Sequence, residues 1–467
     1  MKLWAAAGVG IAVLAYFASL SNLILITLGA FLAYGIYRYY EFVSRYPKGP
    51  FPFPFIGNVT EIDPKVLHKS LERVGKGQSG MYTMFIPHPV VQITDFDVMR
   101  EAFIENGEAF TGRPQNKIIQ EVFSFAPNAG VINSTGEVWR EQRRAAVSIL
   151  RDFGMGKNHM EELVCSSIED YLIHLDTVAD KENIDLRWPI QVMVANVINE
   201  VLFGFRYKYD DCQPLMDYVI CVNEVTLSPI LKRDFPVQML LGVMKNRGVG
   251  IAMAIPAITK IPCIRERTIG KTESRMKEIN QYIVDNVTRA RRDYNVEDEP
   301  TCFVHACKQR MQENNNLDDV NLMTTCSDFF LAGQETTTTT LRWAMLIMAK
   351  SQEIQEKLRA EIHAVVGTER LPTMADQVKM PYARACVLEL QRFANILGTN
   401  VQRTTTQDVI IRGQRIPEGT WVNADIHYVM ANDPIFENSD EFRPERYLAV
   451  DGSSLRKVGP LKTGAGI

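Results

Sequence analysis

The chain has 467 residues, of which 46% are hydrophobic and 23% are charged, and its formal net charge at pH 7 is −4. This length allows a large buried core and favours one large domain or two to three smaller ones. The charge balance lacks the basic excess of a nucleic-acid-binding protein, so no nucleic-acid partner is expected. The eight cysteines form no C-x-x-C pair, which argues against a zinc site and a disulfide framework.

The N-terminal segment predicts a membrane anchor, which we assign to residues 1–40. No charged residue occurs from Leu3 to Tyr37, and a membrane-spanning helix needs only about 20 apolar residues. A single tilted helix is the simpler interpretation, although the polar pair Ser21-Asn22 leaves open a hairpin of two short segments. Membrane lipid is therefore a predicted partner.

The residues on either side of the anchor differ in charge. Only Lys2 precedes the apolar stretch, whereas three basic residues follow it: Arg38, Arg45 and Lys48. Because cytosolic flanks carry the excess of lysine and arginine, this asymmetry predicts that the body of the protein faces the cytosol. Residues 41–58 then form a proline-rich hinge, in which four prolines between Pro47 and Pro54 prevent helix formation and favour an extended chain.

Residues 59–467 form the body, and one large domain is the economical interpretation because no further linker is evident. Apolar residues at three- and four-residue spacing predict a mainly helical body, with helices over these ranges: 138–150, 160–175, 190–203, 276–290, 320–348, 354–366 and 382–393. Strands are predicted at 90–94 and 408–411, the second followed by a turn at Gly413. The apolar stretch 248–262 is either a segment that dips into the bilayer or an ordinary buried one.

The segment from Gly75 to Gly80 matches the dinucleotide-binding pattern G-x-G-x-x-G. That pattern requires a strand before the glycines and a helix after them. Here a helical pattern precedes the glycines, and the strand-like run from Met81 to Ile86 follows them. We therefore predict a glycine-rich turn without a nucleotide site.

The predicted long helix contains a segment, Leu331 to Thr337, whose composition is unusual for a helix. Gly333 lies in mid-helix, a run of threonines follows, and Glu335 places an acid on a mostly apolar element. Such departures tend to mark function, since glycine allows close approach to the backbone and a threonine hydroxyl can bond back to a carbonyl and bend the helix. A packed helix with a solvated threonine and glutamate face is the alternative.

Further motifs lie before and after this segment. An E-x-x-R motif places Glu389 and Arg392 at i, i+3 on a predicted helix, where they can pair, although the same spacing recurs elsewhere in the chain. The later run F-R-P-E-R-Y supplies Arg446, and an upstream helix carries Trp139 and Arg143 in W-x-x-x-R. Each motif alone has an ordinary surface interpretation.

Together and in this order, these motifs resemble those of the cytochrome P-450 superfamily, the microsomal heme-thiolate monooxygenases. That family carries A-G-x-[DE]-T-T in a long helix over the heme, then E-x-x-R and P-E-R-F, and its membrane-bound members have a proline-rich segment after the anchor. The resemblance implies a mainly α, multihelical fold with small β-sheets and an N-terminal transmembrane anchor. It covers the chain from about residue 47 to residue 447.

The resemblance also implies roles for individual residues. Thr336 and Glu335 would deliver protons during catalysis, beside the heme-facing backbone of Ala332 and Gly333. Four donors would bind the heme propionates: Trp139, Arg143, Arg113 and Arg403. A buried charged triad would brace the loop on the heme side: Glu389, Arg392 and Arg446.

One expected motif is missing. In the family, the cysteine of F-x-x-G-x-R-x-C-x-G follows P-E-R-F, and its thiolate binds the heme iron. Here the last cysteine is Cys386, which is predicted to pack in the core, and His427 is a less favoured iron ligand. The sequence therefore predicts a cytochrome P-450 fold whose C-terminal part is missing, with heme b as the cofactor but without thiolate ligation.

The implied reaction inserts one oxygen atom from O2 into a lipophilic small molecule, with electrons from an NADPH-cytochrome reductase at the endoplasmic reticulum membrane. Without the cysteine ligand, this chain is expected to be inactive. The alternative is a non-catalytic, membrane-anchored remnant or truncated isoform that binds lipophiles or partners.

Overall fold

A computed structural model describes residues 2–54, 56–63, 66–86, 88–115, 120, 124–153, 158–226, 260–314 and 316–456. The protein is mainly helical, as predicted, with 61% of residues in helices and two small sheets. Most of the stretch 248–262, for which a membrane-dipping segment was one interpretation, lies outside the described residues.

The helices have the following bounds: α1 Lys2–Val43, α2 Leu67–Gly75, α3 Phe96–Arg100, α4 Gly136–Asp152, α5 Asn158–Thr177, α6 Arg187–Phe203, α7 Gln213–Thr226, α8 Pro262–Arg265, α9 Lys271–Arg291, α10 Phe303–Glu313, α11 Asp319–Lys350, α12 Gln352–Val365, α13 Pro381–Ala394 and α14 Ile426–Asn432. Every helix predicted from apolar spacing is confirmed. The structure adds helices that this spacing did not predict, among them α7 and α10.

The strands have the following bounds: β1 Met81–Ile86, β2 His88–Ile93, β3 Arg403–Thr404, β4 Val409–Ile411, β5 Gln414–Ile416 and β6 Trp421–Ala424. The larger sheet has the order β1-β2-β6-β3, in which β2 and β6 run parallel with Val91 opposite Val422. Strands β4 and β5 form the predicted hairpin. Gly80 lies between α2 and β1 with φ +80, so the G-x-G-x-x-G segment is the predicted turn.

The N-terminal helix α1 is continuous over 42 residues. Ser21 and Asn22 lie inside it, so the structure has the single helix and not the hairpin. Its apolar part, Asn22–Val43, has the length and composition needed to cross a membrane. The helix extends to Val43, past the boundary predicted at residue 40.

The long helix α11 organises the helical core. It begins where the carboxylate of its N-cap, Asp318, accepts a hydrogen bond from the Asn321 amide at 2.7 Å. On its buried face Phe330 has no exposed surface, and its ring centroid lies 4.9 Å from that of Tyr218 and 5.4 Å from that of Tyr282. This packing fixes which face of α11 remains open, and the candidate site lies on that open face.

Candidate active site

One face of α11 carries three residues at four-residue spacing: Asp328, which residues 131 and 132 cover, and then Ala332 and Thr336, which lie on its open part. The hydroxyl of Thr336 donates a hydrogen bond to the Ala332 carbonyl at 2.6 Å, which is the back-bonding that the sequence predicts. Thr340 repeats this arrangement one turn later, donating to the Thr336 carbonyl at 2.9 Å. The chain remains α-helical throughout, so any bend leaves the helix uninterrupted.

Gly333 faces a neighbouring helix. A Cβ atom at this position would lie 3.0 Å from Cδ1 of Ile198 on α6, a contact tighter than most side chains make. The missing side chain therefore permits close packing of α11 against α6. This placement differs from the heme-facing role that the sequence suggests for Gly333.

Glu335 lies on the buried side of α11, turned away from the face that carries Thr336. It is 7% exposed, and its carboxylate accepts hydrogen bonds from the Gln191 amide at 3.5 Å and the Thr339 hydroxyl at 3.4 Å. Burial raises the pKa of Glu335, and Thr339, Arg342 and Gln191 partly offset this rise. The two residues predicted to act as a catalytic pair are thus adjacent in sequence but face different surroundings.

Replacing Gln191 by leucine is expected to raise the pKa of Glu335 further, because the lost amide stabilises the ionised carboxylate. Because the folded-state pKa is raised, stability falls as pH rises from the unfolded-state pKa through the folded-state pKa, so this fall should extend to higher pH in the variant. The pKa of Glu335 is measured by infrared titration of its protonated carboxyl band. The variant Glu335→Gln identifies this band.

The matched control for this titration is Gln213→Leu. Gln213 donates at 2.9 Å to the carboxylate of Asp217 on the exposed surface, so its loss should leave the Glu335 band unchanged. A Glu335 midpoint that is the same in Gln191→Leu and in the unmodified protein would contradict the assignment of Gln191 as the residue that holds this carboxylate.

Three arginines from distant parts of the chain lie near one another: Arg113, Arg143 and Arg403. Burial, together with the charges of Arg403 and Arg143, lowers the pKa of Arg113 to about 10. Burial and Arg143 likewise lower the pKa of Arg403. Arg113 donates a hydrogen bond to the carbonyl of Gln402 at 3.1 Å, and Arg403 donates one to the carbonyl of Phe110 at 3.2 Å.

Within the described part of the chain, no carboxylate forms a salt bridge with any of these three arginines. Arg143 lies on α4 with its guanidinium carbon 5.7 Å from the ring centroid of Trp139, so the indole belongs to the same cluster. The charge of Asp328 opposes the lowered pKa of Arg113 only in part, so the adjacent guanidiniums still repel one another, and a bound anion would relieve that repulsion. The cluster is therefore a candidate anion site.

Asp328 connects this cluster to the open face of α11. Its carboxylate accepts hydrogen bonds from the backbone amides of Val131 at 2.7 Å and Ile132 at 3.0 Å. Burial nevertheless raises its pKa to about 7, and the charge of Arg113 opposes this rise. Asp328 was not predicted as a site residue, although it lies one turn before Ala332 in the sequence. Nothing in the sequence indicated Gln191.

The third group is a buried charge network. The Glu389 carboxylate has no exposed surface and accepts two bonds from Arg392, both at 2.8 Å, and one from Arg446 at 3.0 Å. It also accepts the backbone amide of Arg443 at 2.9 Å. Both arginines donate further to carbonyls of residues 437–441. The structure thus brings the predicted triad together around one loop.

A family model described as Cytochrome P-450 matches residues 47–461 of the 467. The chain belongs to the cytochrome P-450 family. Cytochrome P-450 2H2 of Gallus gallus is 31% identical over 417 residues, which cover 88% of this chain and 79% of that protein. Cytochrome P-450 2J3 of Rattus norvegicus is 31% identical over 419 residues, with coverages of 87% and 77%. Family membership implies a monooxygenase-type oxidoreductase with a heme cofactor.

In this cytochrome P-450, a cysteine can act as a thiolate ligand only if its thiol is deprotonated. That requires either a lowered thiol pKa or a bound metal. Cys386 on α13 lies among three glutamates. Burial is the main cause that raises its pKa to about 12, and the glutamate charges add to it. Burial also raises the pKa of these cysteines: Cys165, Cys212, Cys221, Cys302, Cys307 and Cys326. The remaining cysteine, Cys263, is exposed.

His427, the alternative iron ligand, faces α2. Its Nδ1 atom lies 3.2 Å from the Asn395 amide, and its Nε2 atom lies 3.8 Å from a carboxylate oxygen of Glu72. Its ring also makes an edge contact with His68, at a centroid distance of 5.0 Å. Both ring nitrogens are thus engaged away from α11.

Proposed function

We propose that this chain forms the body of a heme-dependent monooxygenase that acts on a lipophilic small molecule, with O2 and electrons from an NADPH-cytochrome reductase. The observation that carries the proposal is the arginine cluster beside the open face of α11. The family membership supports the same reaction class.

The residues at the rim of the proposed site suit heme b. Its two propionates are the kind of anion that Arg113, Arg143 and Arg403 lack, and the Trp139 indole adds a further donor. Among the residues that the structure describes, the buried Nε2 atom of Gln402 has no hydrogen-bond partner, and Gln402 adjoins Arg403. A carboxylate ligand could accept a hydrogen bond from this Gln402 amide and pair with the guanidiniums, which form no salt bridge within the described residues.

Bound heme would supply oxygen activation, and the protein would supply position and protons. Ala332 leaves the open face of α11 low enough for a flat group to lie against it. The Thr336 hydroxyl, whose proton is directed to the Ala332 carbonyl, leaves its oxygen lone pairs to accept a hydrogen bond on that face. Glu335, with its raised pKa, can hold a proton behind this face.

A thiolate to bind the heme iron is the group that these residues would not supply. Seven of the eight cysteines have a raised pKa, and Cys263 lies on the short helix α8, outside the site described. We therefore propose that the 467 residues by themselves do not oxygenate substrates. A non-catalytic, membrane-anchored form that binds lipophiles or partners is the second candidate function, and the same observation favours it.

We further propose the endoplasmic reticulum membrane as the location, with the body on the cytosolic side. The basic residues that follow the apolar helix support this orientation. In this proposal residues 1–40 anchor the protein, residues 41–58 join anchor and body, and residues 59–467 form the cytochrome P-450 domain.

The proposal is tested in an extended version, the 467-residue chain joined to the C-terminal, cysteine-containing segment of a relative. With reductase and a lipophilic test substrate, this version should oxidise NADPH and form product. Thr336→Ala should retain heme but lower the fraction of electrons recovered in product by roughly tenfold or more, because the hydroxyl oxygen that accepts a hydrogen bond on this face, and so orders proton delivery, would be lost.

Thr340→Ala is the matched control, since Thr340 bonds back to a carbonyl as Thr336 does. Its coupling of NADPH oxidation to product should equal that of the unmodified extended version. Equal coupling in Thr336→Ala would remove Thr336 from the mechanism, and failure of the extended version to incorporate heme would contradict the proposed function.

A further inference from the structure

Asp328 ties a loop to the long helix α11. Its Oδ2 atom accepts hydrogen bonds from the backbone amides of Val131 at 2.7 Å and Ile132 at 3.0 Å. Two turns earlier on α11, the side-chain oxygen of Asn321 accepts the Gly130 amide at 3.1 Å. Three successive amides of the loop therefore bind side chains of one helix, and α11 sets the position of the loop.

The carboxylate lies directly against the backbone of this loop. Gly130 has φ +76, and a Cβ atom added to it would lie 2.5 Å from Oδ2 of Asp328 and 2.6 Å from Cγ2 of Thr324. Both the positive φ and the close approach require glycine. The loop and the carboxylate are thus held in one arrangement.

The same loop leads into α4. The side-chain oxygen of Asn128 accepts the Thr135 amide at 2.8 Å, and Thr135 is the N-cap residue of α4. Trp139 and Arg143 lie in the first two turns of this helix. Asp328 is therefore a positioning residue, because the loop that it holds leads into the helix that carries two of the four candidate propionate donors.

Asp328 also acts on the arginine cluster through its charge. The charge of Arg113 opposes the rise of the Asp328 pKa. In return, the charge of Asp328 opposes the lowering of the Arg113 pKa, which is caused by burial, Arg403 and Arg143. Among the described residues, Asp328 is thus the acid whose charge acts on the cluster.

The other groups around Asp328 are uncharged near neutral pH. The loop offers backbone amides to the carboxylate, and Thr324 on α11 does not titrate. Cys326, also on α11, is a neutral thiol because burial raises its pKa well above the ordinary value. Burial raises the pKa of Asp328 to about 7, so a change of charge at Arg113 alters how far Asp328 is protonated near neutral pH.

We propose that Asp328 is the proton-linked counter-charge of the arginine cluster: when an anion binds to Arg113, Arg143 and Arg403, Asp328 takes up a proton from solvent. The bound anion offsets the positive charge that favours the ionised carboxylate. Both amide bonds go to Oδ2, so Oδ1 can carry the proton while the loop stays in place. This inference rests on the proposed function, because it takes the cluster as the site of the heme propionates.

The direction of the pH dependence follows from linkage. In the anion-bound protein the Asp328 pKa is higher, so this state holds more protons than the free protein. Anion affinity should therefore fall as pH rises from the free-state pKa of about 7 through the bound-state pKa. A neighbouring opposite charge changes a carboxyl pKa by about one unit or more, so the fall should be roughly tenfold between about pH 6 and about pH 9.

The test uses the full-length protein in detergent micelles and protoporphyrin IX, which carries the two propionates of heme without the iron. Quenching of tryptophan fluorescence measures the affinity at each pH, and Trp139 lies in the cluster. The ligand carboxyls titrate near pH 4.3, as glutamate does, and Arg113 titrates at about 10, so neither changes charge in this range. The dimethyl ester of the porphyrin lacks both charges, and its affinity should not depend on pH.

Asp328→Asn is the decisive variant. Its side-chain oxygen can accept the same two amides but the group does not ionise, so its affinity should stay constant with pH and exceed that of the unmodified chain roughly tenfold at about pH 9. Hydrogen exchange of the Val131 and Ile132 amides verifies that the loop is still held. Asp319→Asn is the matched control, because Asp319 lies on the same helix but pairs with Arg291 and is 63% exposed. It should keep the pH dependence of the unmodified chain.

Calorimetric titration in buffers of different ionisation enthalpy counts the protons directly. The unmodified chain should take up about half a proton per porphyrin near pH 7.5, and Asp328→Asn should take up none. An affinity that does not change with pH in the unmodified chain would overturn the proposal, and so would an equal fall in Asp328→Asn. If neither protein bound protoporphyrin, the anion site itself would be contradicted, and with it both the proposed function and this inference.

Discussion

Replacing Glu389 by alanine is expected to lower the free energy of unfolding by about 3–5 kcal/mol, the cost of leaving a buried charge uncompensated. The substitution strands the guanidiniums of Arg392 and Arg446, whose side chains are only 2% and 4% exposed. Denaturant unfolding of the variant and the unmodified chain, monitored by circular dichroism, measures the difference.

The chain contains its own matched control for this experiment. Glu356 and Arg359 have the same E-x-x-R spacing and the same 2.8 Å separation, but their side chains are 61% and 54% exposed. Glu356→Ala should therefore change stability by no more than about 1 kcal/mol. An equal decrease in the free energy of unfolding in Glu356→Ala and Glu389→Ala would show that burial does not increase the contribution of the Glu389 network to stability.

Replacing Arg113 or Arg403 by methionine is expected to lower heme affinity of the extended version by roughly tenfold to a hundredfold. A hydrogen bond to a charged group contributes about 1.5–3 kcal/mol, and every 1.4 kcal/mol is about tenfold in affinity. The heme-free protein should lose little stability, because the loss of hydrogen bonds to carbonyls is offset by relief of the repulsion between the guanidiniums. Heme titration and denaturant unfolding measure these two effects separately.

Arg140→Met is the control, because Arg140 lies on the same helix as Arg143 but pairs with Glu108 at 3.1 Å on the surface. It should leave heme affinity unchanged. A purely structural role for Arg113 and Arg403 would appear as the opposite pattern, with lower stability of the heme-free protein and unchanged affinity.

The sequence predicted the helices well because their apolar residues recur at helical spacing over many turns. It did not predict α7 or α10, in which apolar and polar residues alternate less regularly and packing against α9 and α11 sets the conformation. Strand β6 was also missed, since four residues are too few for a period to appear.

The site shows the same division between local and tertiary information. Thr336 could be placed from its spacing to Ala332, because back-bonding to a carbonyl is local. The burial of Glu335 depends on Gln191, and the close approach at Gly333 depends on Ile198. Both partners lie on α6, more than a hundred residues earlier in the chain, and no local pattern indicates which face of α11 that helix covers.

The triad illustrates the limit of a motif. Glu137, Glu141 and Glu356 each begin an E-x-x-R sequence, and each forms an ion pair with its arginine in which at least one side chain is more than half exposed. Only Glu389 gains partners from a distant segment, through Arg446 and the backbone of Arg443. The later F-R-P-E-R-Y run was the sequence signal that distinguished it.

We propose that the chain carries the rim of a cytochrome P-450 heme site, and that none of its eight cysteines is the thiolate ligand. The most direct measurement is the carbon monoxide difference spectrum of the reduced protein with added heme, recorded for the 467-residue chain and for the extended version. We expect the band of thiolate-ligated heme from the extended version alone. This band should disappear when the added cysteine is replaced by alanine. If the unmodified 467-residue chain gave that band, an internal cysteine would reach the iron, and the proposal that none of the eight cysteines is the ligand would be contradicted.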